Sequence, residues 1–255
     1  MPGYLSRVSI ALAAATLSIA AANAAALNAG DIAFTSFNAD EDGFSFVALA
    51  DIDAGTVIHF NDNEWNGSAI GSGGAFNTGE GVRSWNSGGS LIAAGTVIRF
   101  SSYDTAAASA SIGALFGASG DNGINATAET IYAFLGTSSS SPTTFLTAIS
   151  SGNFGSNGTL TNTGLTAGAN AIAVNSSTDF AQYVGDRSSQ SSYGAYRSLL
   201  ANNVNWNNLG DGSFESVVPN TTAFTVAPVP LPAAAWLMLS GIGGLFGFAR
   251  RHRAA

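Results

Sequence analysis

The chain contains no cysteine and no lysine, and only two histidines, His59 and His252. Without cysteine, disulfides, thiolate nucleophiles and Cys-ligated metals are all excluded. With one histidine outside the extreme C-terminus, a Ser-His-Asp arrangement has a single candidate base, His59. Positive charge is scarce as well. Of eight Arg, four lie close to the termini (Arg7, Arg250, Arg251, Arg253) and four lie between them (Arg83, Arg99, Arg187, Arg197). All 16 acidic residues fall between Asp31 and Glu215. The segment 25–227 therefore sets four Arg against 16 acids, a net charge of −12. Such a surface repels phosphate backbones, which argues against nucleic acid as a partner. No glycine-rich loop follows a strand and opens a helix, so nucleotide binding has no support either.

What the sequence has instead is glycine, serine, threonine, asparagine and alanine between short β-branched and aromatic runs. That mixture predicts many short strands joined by tight polar turns, a mainly β fold of the sandwich type in one domain spanning 25–227. Strands are expected over 31–38, 43–50, 130–135 and 223–226. An internal echo adds more. Asp53-Ala54-Gly55-Thr56-Val57-Ile58-His59-Phe60 recurs forty residues later as Ala93-Ala94-Gly95-Thr96-Val97-Ile98-Arg99-Phe100. In each copy a Gly-containing turn feeds a strand. Alternation places Ile58 and Phe60, like Ile98 and Phe100, on one face, with His59 and Arg99 on the other. His59 is therefore expected to be an exposed strand residue. A weaker third copy runs from Thr166 to Val174. The segments 179–184 and 193–201 are expected to be short helices; in the second, Tyr196, Leu199 and Leu200 have helical spacing.

The two ends read as addresses rather than as parts of the fold. Met1 to Arg7, an apolar run from Val8 to Ala22 and the small residues Ala22-Asn23-Ala24 have the layout of a secretory signal over 1–24. At the other end, Val229-Pro230-Leu231-Pro232 precedes an uncharged apolar stretch from Ala233 to Ala249 and then Arg250-Arg251-His252-Arg253. Its 17 residues reach the short end of the roughly 17–25 that span a bilayer. The Arg cluster would stay cytoplasmic, leaving the acidic body outside.

This order of proline motif, apolar helix and Arg cluster over 228–255 resembles the PEP-CTERM sorting signal. Leu231 departs from the Glu of the name-giving pattern. The resemblance implies an exosortase-type processing enzyme as a partner, transient anchoring in the inner membrane, and a final place at the cell surface or outside the cell near exopolysaccharide. The segment from Asp31 to Trp85, with Ile32-Ala33-Phe34-Thr35, Asp42-Gly43-Phe44-Ser45-Phe46-Val47, Asn61-Asp62-Asn63-Glu64-Trp65 and Gly79-Glu80-Gly81, is similar to the start of a bacterial surface domain found in secreted proteins with such tails. A distant likeness to the lamin-tail sandwich accompanies it. These resemblances imply architecture and location, and no reaction.

Three constellations are candidates for chemistry. Asn38, Asp40 and Asp42, with Gly43, match the first half of a calcium loop, but Leu49 stands where the closing bidentate Glu belongs. A looser calcium site drawing on Asp62 or Glu64, or a plain hairpin turn, are the other readings. Trp65, Trp85 and Trp206, set among amides and acids, have the residue types of a sugar-binding surface, and equally those of core tryptophans. A secreted hydrolase with paired carboxylates is the least favoured reading, since nothing singles out a pair. The sequence reading is thus a non-enzymatic exported surface or matrix protein, with a carbohydrate-binding module as the alternative.

Overall fold

The structure, a computed structural model, describes residues 26–155 and 158–228. The expected secretory signal and the sorting segment from Val229 onward lie outside the described residues. Between them is a mainly β architecture of two six-stranded sheets, with helix confined to a few short turns. Among the described residues, no helix is long and apolar enough to cross a membrane.

The strands in chain order are β1 (Ile32–Asn38), β2 (Gly43–Ala48), β3 (Val57–Asn61), β4 (Val82–Asn86), β5 (Val97–Ser101), β6 (Ser109–Ala110), β7 (Ala114–Ser119), β8 (Thr130–Ser138), β9 (Ser141–Ser150), β10 (Ala171–Ala173), β11 (Phe180–Tyr183) and β12 (Trp206–Asn208). One sheet has the order β12-β11-β1-β2-β5-β6 and the other β10-β9-β8-β3-β4-β7. Pairing is antiparallel except for β10 on β9. A one-turn helix, α1 (Arg197–Leu200), follows a 3₁₀ turn at Tyr193–Tyr196, as the spacing of Tyr196 and Leu200 predicts.

The echoed sequence builds the centre. Its two copies end as β3 and β5, which lie in different sheets and face each other. Before each copy comes a further strand, β2 before β3 and β4 before β5. Each of these pairs with the other unit's second strand: β2 with β5, and β4 with β3. The units thus exchange strands. At the entry to this exchange, Ile52 and Ile92 donate backbone bonds to each other, at 2.8 and 2.9 Å. Gly55 N–H bonds the Gly88 carbonyl, and Gly95 N–H bonds the Ala48 carbonyl, both at 2.7 Å. The rings at equivalent positions meet across the core. Phe60 and Phe100 are 5.1 Å apart and edge-on, and Phe46 meets Trp85 at 5.5 Å. All four are fully buried. Edge-to-face packing of this kind adds roughly 0.5–1.5 kcal/mol per pair beyond burial itself.

A second, smaller core covers the outer face of the sheet containing β3. Trp65, Tyr132, Phe134, Phe145 and Leu165 pack there with Phe76 and Leu160, brought in by the long β3–β4 and β9–β10 connections. This layer corrects the expectation for His59. The alternation on β3 is right, since His59 points away from Ile58 and Phe60. Its face is not solvated, however, and His59 is only 7% exposed, beside the Phe134 ring at 5.5 Å.

Two other expectations change. The segment 179–184 is strand β11 rather than a helix. Pairing of Phe180, Ala181 and Gln182 with β1, and burial of Phe180 and Tyr183, outweigh a weak local helical preference. The segment 223–226 is extended but joins neither sheet. It is a strap over α1 and its neighbours: Phe224 N–H bonds Gly95 O, Thr225 N–H bonds Arg187 O, and Ala227 N–H bonds Gln190 O. Strand β9 was not foreseen. Its Ser- and Thr-rich start looks like loop, and only its hairpin with β8 makes it a strand.

Candidate functional site

The sequence candidates are dispersed by the fold. Asn38, Asp40 and Asp42 form the β1–β2 hairpin turn, with Asp42 in the left-handed region at φ 51°. Their oxygens are engaged by the backbone. Asn38 Oδ1 accepts from the Asp40 and Glu41 amides at 3.1 and 3.2 Å. Asp40 Oδ2 accepts from Phe214 N at 2.6 Å, and Asp42 Oδ1 accepts from Ile124 N. An open concavity beside them, of about 330 Å³, is lined by Asp40, Glu41, Asp42, Asp104 and Glu215. Glu41 pairs with Arg99 across it. Burial, helped by Asp104, Asp121 and Asp40, pushes the Asp42 carboxyl up despite the Ile124 bond.

The three tryptophans, for which a sugar-binding face and a core position were the two readings, are all in the interior. Trp65 is 2%, Trp85 0% and Trp206 6% exposed. Each indole N–H is satisfied by a carbonyl: Trp65 by Thr161 at 3.2 Å, Trp85 by Ile112 at 2.7 Å and Trp206 by Leu200 at 2.8 Å. Trp85 packs edge-on against Phe46 between the sheets, and the loops that carry Trp65, Phe76 and Leu165 fold over the second core and cover Trp65.

One nucleophile does meet a base. His59 Nδ1 lies 2.8 Å from Ser84 Oγ on the neighbouring strand. Both residues are buried, and the His ring also bonds the backbone at Gly136. Burial lowers the His59 pKa. Phe134 packs beside the His59 ring, so the hydrogen bond lies within the interior.

The least explained group lies where β3, β4 and β7 begin or end at one edge of their sheet. Asp62 follows β3, Glu80 and Gly81 precede β4, and Asp121 and Asn122 follow β7. Glu129, just before β8, is buried beside them. Burial, reinforced by Glu129 and Glu80, pushes the Asp62 carboxyl up to about 8. Burial likewise lifts Glu129 to about 7, although its oxygens accept from Asn125 and Thr130 amides. Glu80 is raised by burial, then by Glu64 and Asp121. Among the described residues none of these acids is in a salt bridge. Arg83 gives Nη2 to Thr105 O at 3.2 Å and lies over the Tyr103 ring at 5.2 Å. The ion pairs among the described residues are Arg99–Glu41 and Arg197–Asp31. Among those residues no three His, Asp or Glu side chains are spaced to hold a metal between them. Sequence reasoning named Asp62 and Glu80 only in passing. Their shared feature, an acid placed just outside a strand end, is too common in turns to stand out.

Comparison with known families, with curated proteins and with solved structures gives no match.

Proposed function

We propose that this protein is a non-enzymatic, exported surface or matrix component, held briefly in the inner membrane by its C-terminal segment and processed by an exosortase-type enzyme into a cell-surface or extracellular form associated with exopolysaccharide. The support comes from the two terminal address patterns and from the charge of the body between them. One structural observation fits this reading best. The folded body is fastened up to the residue next to the sorting motif. Arg187, 8% exposed, donates to the Thr222 and Asn220 carbonyls at 2.7 and 3.1 Å and lies over the Phe224 ring at 4.7 Å. The Tyr196 hydroxyl donates to Thr225 O at 2.7 Å, and the last strap bond is that of Ala227. The described residues just before Val229-Pro230-Leu231-Pro232 are thus part of the folded body.

Fractionation of the native host with antibodies to the body tests this. The expected outcome is a full-length membrane species that chases into a shorter surface or released species, and that accumulates uncut when the processing enzyme is deleted. Full-length protein in the cytoplasm would overturn it.

A further inference from the structure

We propose that Asp62, Glu80 and Asn122 form a binding site for a hard divalent cation of the calcium type, separate from the β1–β2 hairpin. Three side-chain oxygens at this edge are buried and have no hydrogen-bond partner: Asp62 Oδ1, Glu80 Oε2 and Asn122 Oδ1. Asp62 and Asn122 are themselves only 6% and 4% exposed. A buried oxygen without a donor is costly, and a buried carboxylate more so, so natural folds rarely leave three such atoms together.

The backbone brings them together. Asp62 N–H bonds Gly81 O at 3.2 Å, and the Gly81 backbone also bonds the Asp62 carboxylate. A Cβ on Gly81 would lie 2.7 Å from Asn122 Cγ and collide with the Asp121 carbonyl. Gly120 is bounded in the same way by the Glu80 carbonyl. Two glycines therefore allow the Glu80 and Asn122 segments to approach without a side chain between them. Asn122 has already committed its donor: its Nδ2 points at the Ser119 and Gly120 carbonyls at 3.4 and 3.3 Å, leaving Oδ1 as a bare acceptor. With Asp62 ionised, as a bound cation would hold it, the three atoms are all acceptors.

The chemistry of these ligands selects the ion. Two carboxylates and an amide oxygen, with no nitrogen or sulfur ligand, suit calcium, which takes six to eight oxygens in irregular geometry and completes its shell with water. Glu80 itself borders an open concavity of about 360 Å³, together with Asn61, Asn63, Thr78, Ser119 and Gly120. Because only two acids contribute, the expected affinity is that of extracellular calcium modules, about 0.1–1 mM.

The test uses the full chain in detergent, stripped with EGTA. Addition of 5 mM CaCl2 is expected to raise Tm by about 3–6 °C, and equal MgCl2 by less. Asp62→Asn and Glu80→Gln should abolish the calcium shift, whereas Asp40→Asn in the hairpin should keep it. Asn122→Asp should tighten calcium binding several-fold in calorimetric titration. Should the first two variants fail to fold, calcium-displaceable terbium luminescence sensitised by nearby Tyr103 reads the same site in the unaltered protein. A shift below 1 °C with no terbium signal overturns the proposal. So does a shift that survives both acid variants, one lost in Asp40→Asn, or an Asn122→Asp protein that binds no tighter.

Discussion

The two exchanged units begin from nearly the same eight residues and end in different surroundings. In the first, Gly55 has open space around it, His59 is sealed under the outer layer, and the strand runs out into Asn61, Asp62 and Asn63. In the second, Gly95 lies under the C-terminal strap, Arg99 reaches Glu41 at a half-open rim, and the strand runs out into Ser101, Ser102 and Tyr103. Inward-facing positions are equivalent, and outward-facing positions are not. The lesson is that the repeated sequence specifies a shared core contact, while each unit's outer surface is set by whichever distant segment happens to fold over it.

Breaking the shared part should cost most, and equally on both sides. Phe60→Ala and Phe100→Ala each remove a fully buried ring from the same contact, and each should lose about 3–5 kcal/mol in denaturant unfolding. The double variant should lose less than the sum, because the rings touch. A large inequality between the two singles would undo the symmetry of the core.

The glycines should separate the units. Both have positive φ, 75° at Gly55 and 92° at Gly95. Gly55→Ala should cost only backbone strain, about 1–2 kcal/mol. Gly95→Ala adds a collision with the Phe224 carbonyl and a 2.7 Å approach to the Tyr193 ring. It should cost measurably more and should also expose the strap to protease, read by cleavage near residues 220–227. Equal costs would mean that the strap yields easily.

The pair His59 and Arg99 should differ in kind as well as in size. His59→Ala leaves a hole and an unpartnered Ser84 hydroxyl, about 2–3 kcal/mol. Arg99→Ala removes a rim ion pair, about 1 kcal/mol or less. His59 should also give a pH signature. Burial lowers its pKa in the folded protein, so the unfolded chain takes up its proton more readily. The stability it contributes is present above its ordinary pKa near 6.5 and falls as pH drops below that value. The difference in unfolding free energy between the wild type and His59→Gln should therefore shrink from pH 7.5 to pH 5.5. A flat His59 difference would show that the ring has the same pKa in the folded and unfolded states.

Much of the architecture was legible. Turn chemistry and period-two alternation placed β1, β2, β3, β5 and β8, and the echo marked the two central strands before any contact was known. The failures share a cause. β9 and β11 are strands because β8 and β1 offer them open edges, and 223–226 stays out of both sheets because Arg187 and Gly95 capture its backbone first. The site was less legible than the fold. Trp65, Trp85 and Trp206 stand among polar residues in the sequence, and nothing local reveals that Phe145, Phe46 and Leu200 will cover or bond them. Asp62, Glu80 and Asn122 are sixty residues apart end to end and become neighbours only through strand pairing.

The sequence by itself determined the excluded chemistries, the acidic body, the mainly β class and the inward positions of Ile58, Phe60, Ile98 and Phe100, because these follow from composition and from a side-chain period of two. Tertiary structure alone decided that the two echoed strands lie in opposite sheets, that His59 is buried while Arg99 is not, and that Asp62, Glu80 and Asn122 each keep a buried oxygen without a donor. Those outcomes depend on which distant segments meet, and pairing between segments far apart in the chain is fixed by the packing of the whole rather than by any local run of residues.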